Sequence, residues 1–448
     1  MHLVSERVVV IGGDAGGMAA VSQIRKGRPH VEIVTLERGN WTSYSACGIP
    51  YAVGGQVAPL ERLQARTPQQ FRDSHRIDVR MRHEAMGIDL DRRVVEVRAH
   101  EQGRTYLLGF DQLLIGTGGV PIRPALPGID LPIVHGAHTM DDARSLMAMI
   151  DDGICGRVVV VGGGYIGLEM AEAFVQRGAT TWLVDSGVQL MNTFDADMAA
   201  LIASALVSQG VEVVLGTRVT GFEPDGVVTS NGKLPADLVV LGIGVAPNSQ
   251  LAVGAGISVG VRTAISVNRR QQTSSAGVFA AGDCAESFHL VSRRPVHLAL
   301  GTVTNKQSRV AGINIGGGYA TFPGVLGTAI SKICSLEVAR TGLNESECVE
   351  AGFNFATAKI ESTTKAGYYP ESAPMTVKLI VERGSGRVLG AQIVGGPGAG
   401  KRIDAVAMAI AGGLSAEDVL NSDLAYAPPF SGVWDPVQVA AREALKVV

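Results

Sequence analysis

Short runs of aliphatic, β-branched residues alternate along the chain with glycine turns and with stretches whose apolar positions recur at helical spacing. Arg7–Ile11, RVVVI, is apolar after its first residue and predicts a strand buried on both faces of a parallel sheet. Gly12-Gly13-Asp14-Ala15-Gly16-Gly17 follows, then an alanine-rich helix to about Lys26, then a strand over residues 31–36 that ends at Glu37. The same succession returns later. Arg157–Val161 leads into Gly162-Gly163-Gly164-Tyr165-Ile166-Gly167, a helix, and a strand, TTWLV, that ends at Asp185. Residues 110–119 predict a strand and glycine turn that pass through Val120-Pro121-Ile122-Arg123-Pro124 into a domain crossover. Residues 237–243, followed by Gly244, close the second unit, and residues 273–283 predict a further strand ending at Asp283. Beyond about Leu326 the pattern changes to short strands, including residues 375–382 and 388–394, and a helix over 402–411.

Glycines at a strand-to-helix turn let the backbone approach a pyrophosphate at the helix N-terminus, and an acid about twenty residues on can bond an adenosine ribose. Both units therefore predict dinucleotide sites. The first uses Gly12, Gly16, Gly17 and Glu37, with Arg38 beside it; the second uses Gly162, Gly164, Ile166, Gly167 and Asp185. Only the second matches G-x-G-x-x-G in full. In the first, Asp14 occupies the middle glycine position, so its carboxylate must turn away from the phosphates or the turn must differ locally. No Lys or Arg follows Asp185 before Arg218, which leaves nothing nearby in sequence for a 2′-phosphate and favours NADH over NADPH.

Composition narrows the partners. A length of 448 residues suggests about three domains. A net charge of -3 and a pI near 6.3 give no basic footprint for nucleic acid or an anionic membrane, so small molecules are the expected ligands. Cys47, Cys155, Cys284, Cys334 and Cys348 are odd in number and widely spaced, without C-x-x-C or a cysteine–histidine grouping. Neither a disulfide framework nor a metal site is expected from them. With no leader pattern and no apolar run of bilayer length, a reducing, cytoplasmic setting is expected.

Candidate chemistry centres on Asn40-Trp41-Thr42-Ser43-Tyr44-Ser45-Ala46-Cys47-Gly48-Ile49-Pro50-Tyr51, where a cysteine precedes an expected helix start. Unpaired N–H groups and the helix dipole stabilise a thiolate there, so a lowered pKa and a nucleophilic role are expected for Cys47. An isolated cysteine is more often a small buried hydrophobe. The flanking nucleotide motifs reverse that order. Asp283 alone reads as a helix N-cap.

Taken in order, the Gly12–Gly17 turn with Glu37, Ser43 to Cys47 with Gly48, Thr117-Gly118, the Gly162–Gly167 turn with Asp185, and Gly282-Asp283 resemble the pyridine nucleotide-disulfide oxidoreductases over essentially the whole chain. The single-cysteine branch is the nearer match. It contains coenzyme A disulfide reductases, NADH oxidases and peroxidases, and NADH-dependent persulfide or polysulfide reductases. The resemblance implies an α/β protein of two interleaved Rossmann-like dinucleotide-binding domains with a C-terminal α+β dimerisation domain. Residues 1–118 and 250–325 would bind FAD, residues 119–249 NADH, and residues 326–448 would form a homodimer. Asp283, after Gly282, would hold the flavin's ribityl or pyrophosphate region, with Thr117 and Gly118 also at FAD and Gly244 among the cofactor-binding set. Tyr165 would cover the flavin until nicotinamide displaces it; ordinary packing is the alternative.

Dithiol members of the family carry C-x-x-x-x-C, but Thr42 and Ala52 stand five positions from Cys47. Its oxidised state must then be a mixed disulfide, a persulfide or a sulfenic acid. No histidine follows His297, and the resemblance assigns the acid to partner-subunit tyrosines, matched here by Tyr426 and Tyr368, which are alternatively dimer-interface aromatics. Oxidases and peroxidases of the branch usually carry a histidine in the first glycine turn; Ala15 here favours a sulfur substrate. Gln23, Lys26 and Ser43 match coenzyme A contacts, although a solvated helix face and a turn would explain them too. Ala46, His75 and Trp434 stand where some of those enzymes have asparagine or lysine. The expected activity passes electrons from NADH through flavin and Cys47 to a small disulfide, persulfide or polysulfide, a coenzyme A derivative foremost. An NADH oxidase or peroxidase cycling Cys47 through sulfenic acid is the alternative, and a flavin redox sensor or binding protein the second.

Overall fold

The computed structural model describes residues 6–448. Arg7–Ile11 lies at the centre of a five-stranded parallel sheet, with Glu32–Glu37 and then Asp78–Met81 on one side and Gln112–Ile115 and then Val278–Ala280 on the other. Val8, Val9 and Val10 are wholly buried, as a parallel strand covered on both faces requires. Their side chains alternate between two cores. Val8 and Val10 pack against the helix Ala15–Gly27 and the helix Gly301–Ile315, while Val9 and Ile11 pack against an antiparallel meander of His83–Asp89, Val94–Ala99 and Arg104–Gly109. The strand expected over 273–283 shortens to Val278–Ala280, because Thr273 donates its N–H to the Val278 carbonyl and closes a turn.

Arg157–Val161 is likewise central to a second parallel sheet, in the order Val211–Val214, Thr180–Val184, Arg157–Val161, Leu238–Leu241, Val134–His135. The outgoing and returning chains run side by side between the two units, Gly119–Pro121 pairing antiparallel with Val245–Pro247. Asn248 fastens this crossing: its N–H donates to the Gly118 carbonyl at 3.0 Å, and Thr117 Oγ1 donates to its carbonyl at 2.5 Å.

The last part of the chain forms a five-stranded antiparallel sheet in the order Ala329–Ile333, Leu336–Gly342, Val388–Gly395, Pro374–Glu382, Phe355–Thr363. Val388–Gly395 is buried throughout, and the helices Ile403–Ala411 and Pro436–Ala444 close its core. Residues 400–402 make a single 3-10 turn, so the helix expected from 402 starts at Ile403. Among the described residues, no helix is long and apolar enough to cross a membrane.

Candidate active site

At the first glycine turn the backbone leaves no room for side chains. Gly12 has φ +111°, and a Cβ there would overlap the Gly116 carbonyl; at Gly17 it would overlap the Gly12 carbonyl. Glu37 accepts the Gly13 N–H at 2.8 Å and the Gly39 N–H at 2.6 Å, which fixes its carboxylate over the turn, while Arg38 points to solvent as an exposed residue. Asp14 is turned away from the glycines and accepts the Tyr44 N–H at 2.9 Å. Burial pushes its carboxyl up from 3.8 to about 6; the Tyr44 and Ala15 N–H groups oppose the shift, and Glu37 and Asp283 add to it. Thr42 Oγ1 also donates to the Gly13 carbonyl, as does the Ser43 N–H at 3.1 Å. These bonds stitch the cysteine segment onto the dinucleotide turn, and Ser43 takes φ +51° to make them.

Cys47 lies in a 3-10 turn, Ala46–Gly48, that runs into a helix of five residues, Ile49–Val53. The expected lowering of its pKa does not occur. Although Cys47 is an exposed residue, burial pushes its thiol up, and the carboxylates of Glu169 and Asp283 push it further. A helix of five residues aligns few peptide dipoles to oppose them. Glu169 comes from the helix Tyr165–Gln176 and accepts from Ser331 Oγ at 2.5 Å; its own pKa is raised by burial. Tyr51 is pushed up to about 12 by burial and by Glu169, Glu172 and Cys47. The cysteine segment, the second nucleotide unit and the antiparallel sheet thus meet at Cys47, Tyr51, Glu169 and Ser331. Sequence reasoning missed Glu169 and Ser331. The available signal was a pair of acids, Glu169 and Glu172, inside the otherwise apolar helix run LEMAEAF.

Gly282, with φ +85°, presents Asp283 beside the first turn. Asp283 is not a helix N-cap here. Its Oδ1 accepts from Thr304 Oγ1 at 2.9 Å, its carbonyl lies 2.7 Å from His297 Nε2, and Gln307 accepts the Gly282 N–H at 2.9 Å. The buried hydroxyl of Ser308 has no partner among the described residues, and it stands 3.7 Å from where a Cβ on Gly16 would lie. A cradle that excludes side chains, an orphaned hydroxyl facing it and a carboxylate at its rim fit a dinucleotide's phosphates and hydroxyls.

The second turn repeats the geometry. Gly162 has φ +109°, a Cβ on Gly167 would overlap the Gly162 carbonyl, and nothing lies within 4 Å of one on Gly164, the N-cap of Tyr165–Gln176. Asp185 accepts the Gly163 and Gly187 N–H groups, both at 2.6 Å. A cavity of about 310 Å³ opens beside it, with Gly162, Asp185, Ser186, Thr217, Arg218 and Phe222 on its wall. Arg218, remote in sequence, is therefore a neighbour of Asp185 in space. A larger cavity of about 550 Å³ separates the two units from the antiparallel sheet and is walled by Tyr165, Gly244, His297, Leu300 and Ala329. The Tyr165 hydroxyl is buried without a partner among the described residues, and Ile166 is exposed.

Tyr368 and Tyr426 are exposed, at 78% and 47%, and adjoin one another on the antiparallel-sheet domain. No hydrogen bond among the described residues links either to Cys47. Phe430, Val433 and Trp434 are exposed as well. Gln23 is half-buried against Gly312 of the helix Gly301–Ile315, and Lys26 is exposed.

With this geometry in place, the family model described as pyridine nucleotide-disulphide oxidoreductase matches residues 6–302, and that of the family's dimerisation domain matches residues 328–437. The chain is 38% identical over 442 residues to an NAD(P)H sulfur oxidoreductase (CoA-dependent) of Pyrococcus furiosus, covering 98% of both. It is 35% identical over 446 residues to an NADH oxidase of Methanocaldococcus jannaschii, covering 98% of this chain and 99% of that one. A solved NAD-dependent persulfide reductase from A. fulgidus superposes with a TM-score of 0.95 at 38% identity, over 98% of this chain and 83% of its own.

Proposed function

Because this chain belongs to the pyridine nucleotide-disulphide oxidoreductase family, we propose that it is an FAD-dependent enzyme that uses NADH to reduce a small disulfide, persulfide or polysulfide at Cys47, with a coenzyme A derivative as the leading substrate. The observation that carries this reading is the stitching of the Cys47 segment onto a dinucleotide turn by Thr42, Ser43 and Asp14. The sulfur and persulfide substrates named for the Pyrococcus and A. fulgidus proteins support it. In this reading residues up to 118 with 250–325 bind FAD, residues 119–249 bind NADH, and residues 326–448 pair two subunits in a reducing, cytoplasmic setting. Gly12, Gly16, Gly17, Glu37, Arg38, Thr117, Gly118, Gly282 and Asp283 serve the first nucleotide. Gly162, Gly164, Tyr165, Ile166, Gly167, Asp185 and Gly244 serve the second, and Gln23, Lys26 and Ser43 contact the substrate.

Bound FAD supplies acceptance of a hydride from NADH and delivery of an electron pair to sulfur. The chain supplies the rest. The Cys47 thiolate attacks one sulfur of the substrate, the substrate's S–S bond breaks, and the departing thiolate takes a proton from Tyr426 of the partner subunit, with Tyr368 of the partner subunit alongside. The mixed disulfide left on Cys47 then takes up two electrons, which break its S–S bond and restore the Cys47 thiolate; the second thiolate released takes up the proton that accompanies the electron pair from NADH, and a proton from solvent returns to Tyr426 of the partner subunit. Summed, one disulfide, one NADH and one proton give two thiols and NAD⁺.

The test is anaerobic NADH consumption by the FAD-loaded protein and by Cys47→Ser, with coenzyme A disulfide, coenzyme A persulfide, polysulfide or peroxide offered separately. Turnover with a sulfur acceptor that disappears in Cys47→Ser is expected; undiminished turnover in that variant would overturn the assignment. The likeness to an NADH oxidase keeps a second reading in view, in which Cys47 cycles through sulfenic acid, and fast turnover with peroxide or oxygen alone would favour it.

A further inference from the structure

We propose that Arg218 is the residue through which the second nucleotide site takes a 2′-phosphate, so that the enzyme uses NADPH as well as NADH; the inference rests on the nucleotide-dependent reading above. Counting along the chain places Arg218 far from Asp185. The fold removes that separation. Thr180–Val184 and Val211–Val214 are parallel neighbours, so their carboxyl ends lie at the same sheet edge. Beyond them, Gly216 donates its N–H to the Gly187 carbonyl at 2.8 Å and Thr217 donates to the Asp185 carbonyl at 3.0 Å. Arg218 is the next residue. Its backbone is held from the far side as well: its N–H donates to Ser230 Oγ at 3.2 Å, and its carbonyl accepts the Ser230 N–H at 2.8 Å.

The base of the side chain is therefore fixed at the wall of the cavity it shares with Asp185 and Ser186. Its charged end is not otherwise engaged. Arg218 is exposed, and its guanidinium makes no hydrogen bond or ion pair among the described residues. Arg157, in contrast, is tied to Asp237 at 2.6 Å.

Asp185 does not by itself close the site to phosphate. Both its oxygens already accept backbone N–H groups, from Gly163 and Gly187, which fixes the carboxylate and offsets part of its charge. Its remaining lone pairs suit ribose hydroxyls. A guanidinium fork across the same cavity suits the planar array of phosphate oxygens, and the hydroxyl of Ser186 is a second donor on that wall. A pocket with one fixed acid and one free arginine offers partners for both coenzymes.

The experiment compares the natural protein with Arg218→Ala and Arg218→Lys in two ways. The first is calorimetric binding of adenosine 2′,5′-bisphosphate and of 5′-AMP, which needs no turnover. The second is kcat/KM for NADPH and NADH with one sulfur acceptor. Losing a charged hydrogen bond lowers the bisphosphate-to-AMP affinity ratio and the NADPH-to-NADH selectivity ratio by at least about tenfold in Arg218→Ala, with partial recovery in Arg218→Lys. Ratios unchanged within about twofold would overturn the proposal, as they would if the guanidinium served only to stack on adenine, and so would a natural protein that binds the bisphosphate no more tightly than AMP. Failure of the sulfur-reduction reading would leave the binding comparison intact, so the two are separable.

Discussion

At Asp14 the chain sets a carboxylate where the second turn has Gly164, and the consequence is a titration. Because burial raises this carboxyl from 3.8 to about 6, the folded protein binds more protons than the unfolded chain between those values, and stability falls as pH rises through that window. Above it the cost is at most about 3 kcal/mol. Asparagine keeps an acceptor for the Tyr44 N–H and removes the charge. Asp14→Asn is therefore expected to raise the melting temperature at pH 7 to 8, with the advantage vanishing below about pH 4; an advantage equal at both ends would assign it to another cause. The thiol of Cys47 is governed by charge as well as burial, because Glu169 and Asp283 disfavour its thiolate. Glu169→Gln is expected to lower the pH midpoint of Cys47 alkylation, and an unmoved midpoint would show that Glu169 does not act on it. The neighbours of Cys47 in sequence were enough to propose it as a reaction centre. Its electrostatic surroundings were not legible there, since Glu169 comes from the second glycine-turn unit and Asp283 from a strand end far along the chain.

Whole elements were easier to read than their surroundings, because their signals are local. The apolar runs Arg7–Ile11 and Arg157–Val161 became the central strands of two parallel sheets, and the glycine turns after them adopted one geometry twice. One strand is shorter than its run, because a local turn closed between Thr273 and Val278 takes its first residues. The helix expected to start after Cys47 does start there and ends at Val53, whose carbonyl accepts from Arg177 Nε. The repeated turn also separates the two nucleotides experimentally. In Gly17→Ala and in Gly167→Ala, the new methyl would collide with the carbonyl of Gly12 or Gly162, and backbone must move to relieve it. Gly17→Ala is expected to be purified with reduced flavin content. Gly167→Ala is expected to hold flavin and to lose at least about tenfold in kcat/KM for NADH. Flavin loss from Gly167→Ala instead would break the assignment of nucleotides to units.

At the scale of the molecule, the antiparallel sheet is fastened to the second nucleotide unit by a buried ion pair, Lys378 with Asp195, and two carboxylates at its rim. Lys378 is 5% exposed and lies 3.0 Å from Asp195, 2.9 Å from Asp197 and 2.7 Å from Glu345. Although burial opposes its charge, these three carboxylates hold it protonated. Gln392 completes the cluster, donating to Asp195 Oδ2 at 2.7 Å and accepting the Asp195 N–H at 2.9 Å. A lysine in the apolar run MTVKLIVE is visible in sequence, but nothing there names Asp195 as its partner. The cluster sets how the domain bearing Tyr368 and Tyr426 sits on the nucleotide unit, and it responds asymmetrically to change. Removing only the cation, in Lys378→Met, leaves Asp195 buried and unpaired, which costs about 3 to 5 kcal/mol. Removing both charges, in Lys378→Met with Asp195→Asn, takes away the unpaired ion along with the attraction, so most of that loss is expected to return. Urea unfolding of the single and double variants measures the difference. A double variant no more stable than Lys378→Met alone would mean that the buried charges do not hold the two domains together.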